Sequence, residues 1–391
     1  MIDHPGIGRY MRCLLPLIAE DRSVDLCLLG NREKIKKFLP FQEKIIDFDY
    51  PIYSIQEQVG YLKLKREIAS SPPSAAPRND VILHIPHYNI PVLAKFNLVA
   101  TIHDIIHITY PEGASGRLAP MYMKFMIKRI LKTARAVICV SQATKDEIEK
   151  RFFNKGTSPL QGQVPLFSVI HEGVDKVFGK ITDLEYLGRV RDKYKLPDRF
   201  LLYVGSIRRH KNISALLDSF SQFKKRMPEA QLIMVGRLSQ DIDIKRDGII
   251  YLGEVESDES LAAIYNLASC LFNLSLYEGF GLTILEAQKC GLPVVCSDIA
   301  VHREIGGAEA IAAVKASYID QVCDNLYNVL SNKDIREGLI LKGFKNTDRF
   351  DWHKTALNTI DLYRKIGNES SDSSRLAAGD ARRGKNTQCL L

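Results

Sequence analysis

No stretch of this chain approaches the roughly 20 consecutive apolar residues needed to span a bilayer. Residues 1–20 have no uniform apolar core followed by a small-residue cleavage site. A membrane span and a secretory leader are therefore not expected, and the cytoplasm is the expected compartment. The eight cysteines include no Cys-x-x-Cys pair, which argues against a structural zinc site. Cys27, Cys139, Cys270 and Cys296 lie inside apolar runs, where a free thiol behaves as a small hydrophobe. There is no His-Glu-x-x-His, and Asp241 and Asp243 in the polar loop "DIDIK" are an unconvincing metal pair. Glycines 279 and 281 do not make a dinucleotide fingerprint, because the third expected glycine position is Ile284.

What remains is a soluble globular composition, 46% hydrophobic and 26% charged, over 391 residues, which is too long for one ordinary core. A net charge of +8 implies attraction to acidic partners such as anionic lipid, nucleotide phosphates or nucleic acid. Short β-rich runs alternate with helical patterns: Val24–Leu29, Ile45–Phe48, Val81–Ile85, Leu98–Ile102, Ala136–Val140 and Phe167–Ile170. Ser54–Ala69, Leu118–Thr133 and Thr144–Phe152 lie between them as helices. That alternation predicts βαβ units and a parallel sheet covered on both faces. After "HEGVD" at 171–175 it restarts with Phe200–Val204, Gln231–Val235, Ile249–Leu252, Cys270–Leu274 and Pro293–Cys296. Two doubly wound domains in tandem are the simplest account. Ser70–Asn79 reads as a loop, and residues 367–391, without aromatics or apolar periodicity, as a disordered tail. "HPGIGRY" looks like a Gly-rich turn opening a helix, yet only Met1, Ile2 and Asp3 precede it. The first strand of the sheet is thus apparently missing, and a truncated or misassigned start is the expectation.

One segment carries chemistry most plainly. In "LYEGFGLTILEAQKCGLPVV", at 276–295, Glu278 and Glu286 flank a Gly-rich turn that opens a helix. Ligands of open α/β sheets bind at the carboxyl ends of strands, and the N–H groups of Gly281, Leu282 and Thr283 at a helix start suit a phosphate. A carboxylate beside phosphate costs about 4 kcal/mol at 4 Å with an effective dielectric near 20. The cost is avoided where the carboxylate faces a neutral hydroxyl and cations offset the phosphate. Glu278 is therefore assigned to a sugar on one side of a diphosphate, and Glu286 to ribose hydroxyls on the other. The plain alternative is a solvated turn and an exposed helix residue. In "YVGSIRRHKN", at 203–212, Gly205 permits a close turn, and Arg208, Arg209, His210 and Lys211 can neutralise a diphosphate as it leaves.

With these two segments in place, the chain resembles the family 4 retaining glycosyltransferases of the GT-B fold, of mannosyltransferase-like type. The likeness continues through "GIGRY", "HIPHYNIP" at 84–91, "TIHDIIHITYPE" at 101–112, "VSQATKDEI" at 140–148, "VIHEGVD" at 169–175 and "FDWHKTALNTIDLYRKI" at 350–366. The resemblance implies two Rossmann-like α/β domains, an acceptor domain over 1–176 and a donor domain over 177–350. It also implies a helix over 351–366 that packs back on the first. It implies transfer of a hexose from a nucleoside diphosphate sugar to a glycan or lipid-linked acceptor with retention, without a metal cofactor. His103, Lys211 and Glu278 would be catalytic. Gly6, Gly8, Gly205, Arg208, Arg209, Phe280, Gly281, Leu282, Thr283 and Glu286 would join Lys211 at the donor, and His87, Tyr88 and Asn89 would face the acceptor. GDP-mannose or a UDP-hexose is the expected donor, cell-surface polysaccharide or lipopolysaccharide the expected product, and nucleic acid is not an expected partner. His210 stands where relatives often carry arginine. The helix around 117–135, rich in Lys and Arg among Met, Phe and Leu, suggests a basic amphipathic surface on anionic lipid at the inner face of the plasma membrane. A nucleotide-sugar 2-epimerase and a non-catalytic, truncated binding protein are the alternatives.

Overall fold

The computed structural model describes residues 5–39, 44–70, 81–113, 116–153, 165–239, 242–378 and 387–390. The chain forms two compact units. The first comprises Met1–Ile108, Gly116–Gly173 and Trp352–Leu391, and the second Thr109–Ser115 and Val174–Asp351.

In the first unit, strands β1 (Val24–Gly30), β2 (Lys44–Asp47), β3 (Ile82–Ile85), β4 (Asn97–Ile102), β5 (Ala136–Cys139) and β6 (Leu166–Val169) form where the apolar runs predict them, to within a residue or so. The central sequences "ILHI" and "AVIC" are buried at every position, as a parallel sheet covered on both faces requires. Helix Ala119–Thr133 buries Met123, Met126, Ile127, Ile130 and Leu131, the spacing of one helical face. Full burial of such side chains contributes about 1.5–3 kcal/mol each. The next helix starts at a Ser141 cap that accepts from the Thr144 amide at 3.1 Å.

The second unit repeats the plan with β7 (Leu201–Val204), β8 (Leu232–Val235), β9 (Ile249–Gly253), β10 (Cys270–Asn273), β11 (Val294–Ser297) and β12 (Ala312–Val314). Its sheet is parallel throughout, in the order β12-β11-β10-β7-β8-β9. Strand β12 is not anticipated by the sequence, since "AAV" is too short to show a period.

The first sheet departs from expectation at its middle. β1 and β3 do not pair; between them, parallel to both, lies β13 (Thr387–Leu390). Val24 to Cys27 register with Thr387 to Leu390, and Cys389 and Leu390 register with Ile82 and Leu83. The order is β2-β1-β13-β3-β4-β5-β6. The tail read as disordered thus continues the helix Trp352–Ala378 and returns as a strand in the slot that appears empty from the sequence. The reason is that unpaired ladder groups on two buried strands are costly and accept any extended backbone, whatever its composition. Residues 1–4, most of the expected Ser/Pro loop at 71–80, and Asp241 lie outside the described residues.

Candidate active site

Strands β7 and β10 are neighbours in the second sheet, so the loops leaving their carboxyl ends meet. Gly205, at φ +145° after β7, and Gly236, at φ +129° after the neighbouring β8, let those two turns touch: a Cβ on Gly236 would stand 2.1 Å from the Gly205 carbonyl oxygen. Arg209–Lys211 is a tight 3₁₀ turn with Arg208 and Arg209 exposed. The His210 carbonyl then accepts from the Leu276 amide at 3.0 Å, joining the basic turn to the loop that carries Glu278.

At this junction Lys211 Nζ donates to Glu278 Oε1 at 2.5 Å, with side chains only 16% and 13% exposed. Burial pushes the Glu278 carboxyl up, but the charge of Lys211 and hydrogen bonds from Lys211 and Ser275 outweigh it. The carboxyl is held below its usual range and stays ionised. The solvated-turn reading of Glu278 is therefore excluded. Gly281, at φ +99°, is the N-cap of helix Leu282–Lys289 and leaves the first amides of that helix without a side-chain cap. Phe280 is buried edge to face on Phe350, with centroids 5.9 Å apart, so its ring anchors the turn. Glu286 is 2% exposed and its Oε2 accepts from the Tyr265 hydroxyl at 2.9 Å, so it is no exposed helix residue.

His302 is a site residue that sequence reasoning missed. It is fully buried, its Cδ2 lies 3.9 Å from where a Cβ on Gly281 would stand, and its Nδ1 donates to the Ser297 carbonyl at 2.8 Å. Nε2 has no hydrogen-bond partner among the described residues. Desolvation lowers its pKa and keeps the ring neutral, although Glu278 pulls the other way. The signal was available in "SDIAVHREI", directly after the paired-glutamate segment. Tyr110, from the segment that joins the second unit, donates to the Leu276 carbonyl at 3.4 Å.

In the first unit, His103 follows β4. Its Nδ1 lies 3.0 Å from Glu172 Oε1, and its ring meets Tyr10 edge to face at 4.9 Å. The carboxylate fixes the proton on Nδ1, and Nε2 is buried without a partner among the described residues. Glu172, itself only 4% exposed, is a positioning residue that "VIHEGVD" contained but did not single out. Gly6 and Gly8 lie within the first turns of helix Pro5–Ala19, rather than in a turn ahead of it. His87 and Tyr88 are half-buried and their rings are 4.0 Å apart. Asn89 differs from expectation: it is 3% exposed and clamped between Glu57 Oε2, at 2.8 Å, and the Tyr122 hydroxyl, so it is scaffold beneath that surface. Among the described residues no cluster of three or more His, Cys, Asp or Glu is placed to hold a metal ion, and no helix is long and apolar enough to cross a membrane.

Two doubly wound units, one with a largely buried Lys–Glu pair beside a glycine-capped helix start, define a GT-B glycosyltransferase. The family model described as glycosyl transferases group 1 matches residues 189–345, and that described as glycosyltransferase family 4 matches residues 55–158. Between them they span well over half of the chain, which belongs to these glycosyltransferases. Among curated relatives, it is 28% identical over 309 residues to the O-antigen chain mannosyltransferase B of Escherichia coli, covering 73% of this chain and 75% of that one. It is 29% identical over 230 residues to the O-antigen chain mannosyltransferase RfbU of Salmonella typhimurium, covering 56% of each. Among solved structures it shares its fold with Anabaena HepE in complex with UDP and glucose, at a TM-score of 0.66 and 15% identity, over 95% of this chain and 96% of that one.

Proposed function

We propose that the protein moves a hexose, mannose by preference, from a nucleoside diphosphate donor to a hydroxyl of a growing glycan or lipid-linked acceptor, with retention, in lipopolysaccharide or other cell-surface polysaccharide assembly. The observation that carries this reading is the largely buried Lys211–Glu278 ion pair beside the Gly281 turn. The names of the mannosyltransferase relatives support the choice of sugar.

In this reading the diphosphate rests on the open amides at Gly281, Leu282 and Thr283, with Arg208, Arg209 and Lys211 as counter-charges. These groups are in place before negative charge develops on the leaving phosphate, so they lower the barrier without reorganising. Glu278 accepts from hydroxyls of the donor sugar. Glu286, paired with Tyr265, takes the ribose. His103, with its proton fixed on Nδ1, offers Nε2 to the sugar being transferred. A leaving phosphate oxygen takes the acceptor proton on the same face, and no metal enters the step. Gly6 and Gly8 bring the first helix start against the donor phosphate, and His87 with Tyr88 faces the acceptor.

The helix Ala119–Thr133 presents Met121 and Phe125 to solvent beside exposed Lys124, Lys128 and Lys132. Apolar side chains interleaved with lysine suit an anionic lipid surface on the cytoplasmic face of the membrane. Pelleting with anionic but not neutral liposomes is the expected result.

The decisive experiment incubates the protein with GDP-mannose, UDP-glucose and UDP-galactose and a panel of glycan acceptors, reading products by mass and the new linkage by NMR. A hexose added to an acceptor with its anomeric configuration kept, lost in Glu278→Ala, supports the reading. A changed sugar without any acceptor would mean an epimerase, and inversion would overturn retention.

A further inference from the structure

The amino-terminal unit contains a cavity of about 150 Å³ that none of the roles above uses. It opens at the carboxyl ends of β1 and β3, with apolar walls that include Leu28, Ile35, Phe48, Ile85 and Pro86. A cavity of about this volume accommodates a single six-membered ring.

One wall is Glu57, 6% exposed. Its Oε2 accepts from the Tyr53 amide at 2.9 Å and from Asn89 Nδ2 at 2.8 Å. Neither bond uses its Oε1, which is not one of the fully buried atoms left without a partner among the described residues. Burial holds the Glu57 carboxyl above its usual range, its hydrogen bonds from Tyr53 and Asn89 offsetting this only in part, and no cation contributes. Asp49 and Lys34 also line the cavity, so its charged groups sum to one negative charge.

The rim is aromatic. Ile52 and Pro86 line the cavity, and the residues that follow them are Tyr53 and His87. Tyr53 is 53% exposed, its hydroxyl donates to that of Tyr88 at 3.3 Å, and its ring lies edge to face on Tyr122 at 5.5 Å. Its backbone is left-handed, at φ +69°, a strained state for a tyrosine that marks functional sites. A lining carboxylate with one oxygen outside those two bonds, apolar walls and an aromatic rim match a neutral pyranose, which offers hydroxyl donors at its edge and C–H groups on its faces. A phosphate would meet the Glu57 charge at a cost of a few kcal/mol.

We propose that this cavity is the subsite for a neutral sugar ring of the acceptor, with Glu57 Oε1 accepting from a sugar hydroxyl and Tyr53 covering the ring. The assignment rests on the glycosyl-transfer reading and names the acceptor class within it: a neutral terminal sugar, not a phosphorylated headgroup.

Saturation-transfer NMR on the full chain tests this with methyl α-D-mannopyranoside, methyl β-D-galactopyranoside and inorganic phosphate as probes, alongside a thermal-shift titration with GDP and UDP. Binding of at least one glycoside and no competition by phosphate is expected. Glu57→Gln keeps an oxygen for Tyr53 and Asn89 but turns the cavity-facing acceptor into a donor. It should weaken glycoside binding at least about tenfold, the scale of one charge-assisted hydrogen bond, and leave the nucleotide shift unchanged. Tyr53→Gly removes the ring and relieves the backbone, so weaker glycoside binding at undiminished thermal stability is expected. Glycoside binding unaltered in both variants, or phosphate displacing the glycoside, would overturn the proposal. If neither nucleotide stabilises the protein while the glycoside still binds through Glu57, the transfer reading fails and the sugar subsite stands.

Discussion

All six strands of the second unit's sheet fall within Leu201–Val314, whereas the first unit draws its third strand in spatial order from Thr387–Leu390, far beyond β6. Both sheets are parallel and buried, and both rely on the same alternation of apolar runs and amphipathic helices. The difference is that the run of strands in the second unit fills every position in turn. In the first it leaves a slot between β1 and β3 that only a distant segment fills. A slot between two buried strands is a demand made by backbone groups, and it is met by proximity in space rather than by side-chain pattern.

The functional groups divide in the same way. Glu278, Lys211 and His302 are held by partners within Val174–Asp351 of the second unit. In the first unit His84 bonds through Nδ1 to the Tyr363 hydroxyl at 2.6 Å and through Nε2 to Thr101 Oγ1 at 2.7 Å, so the last helix of the chain is tied to the central strand β3.

The largest expected effect attacks the second unit's site. Lys211→Ala removes the counter-charge of Glu278, and kcat with a nucleotide sugar should fall about 10²- to 10³-fold, the scale for losing one preorganised electrostatic group. Steady-state kinetics check this. Ending the chain after Ala378 attacks the first unit alone. Losing the ladder bonds of β13, at about 1 kcal/mol each, should destabilise the first unit by several kcal/mol. Amide exchange should rise in β1 and β3 and stay unchanged in β7 and β10; equal protection in all four would show that β13 adds nothing.

Acid sharpens the contrast. Burial depresses the His84 pKa to about 3 from 6.5. The unfolded state therefore takes up the proton first, and stability falls as pH drops from about 6.5 toward 3. The slope is about 1.4 kcal/mol per pH unit, or about 2 kcal/mol between pH 6.5 and 5. Denaturant melts at these two pH values measure it, and His84→Gln should remove most of the difference. Smaller still is Gly281→Ala, which places a Cβ at φ +99°. It should cost about 1–2 kcal/mol, read by thermal unfolding, and should raise the KM for donor. Smallest is Arg237→Ala at an exposed pair with Glu254, where no more than about 0.5 kcal/mol is expected.

The sites were legible to different depths. The turn Gly205 to Lys211 and the pair Glu278 and Glu286 could be read directly, because a strand end, a glycine turn and a helix start are close in sequence. Glu172 behind His103 and His302 behind Gly281 could not, because a histidine's role there depends on which of its nitrogens is left without a partner. The motif resemblance groups Asn89 with His87 and Tyr88 at the acceptor; only the packing of Glu57 and Tyr122 around it makes it scaffold.

The sequence by itself determined two parallel α/β units, most of the strands within them and the glycine turns at Gly205 and Gly281, since each follows from hydrophobic period and local backbone chemistry. Only the tertiary structure decided that the far end of the chain supplies the strand between β1 and β3, and that Glu57 lines a cavity. Both outcomes depend on pairing and burial between residues distant along the chain, which no local pattern encodes.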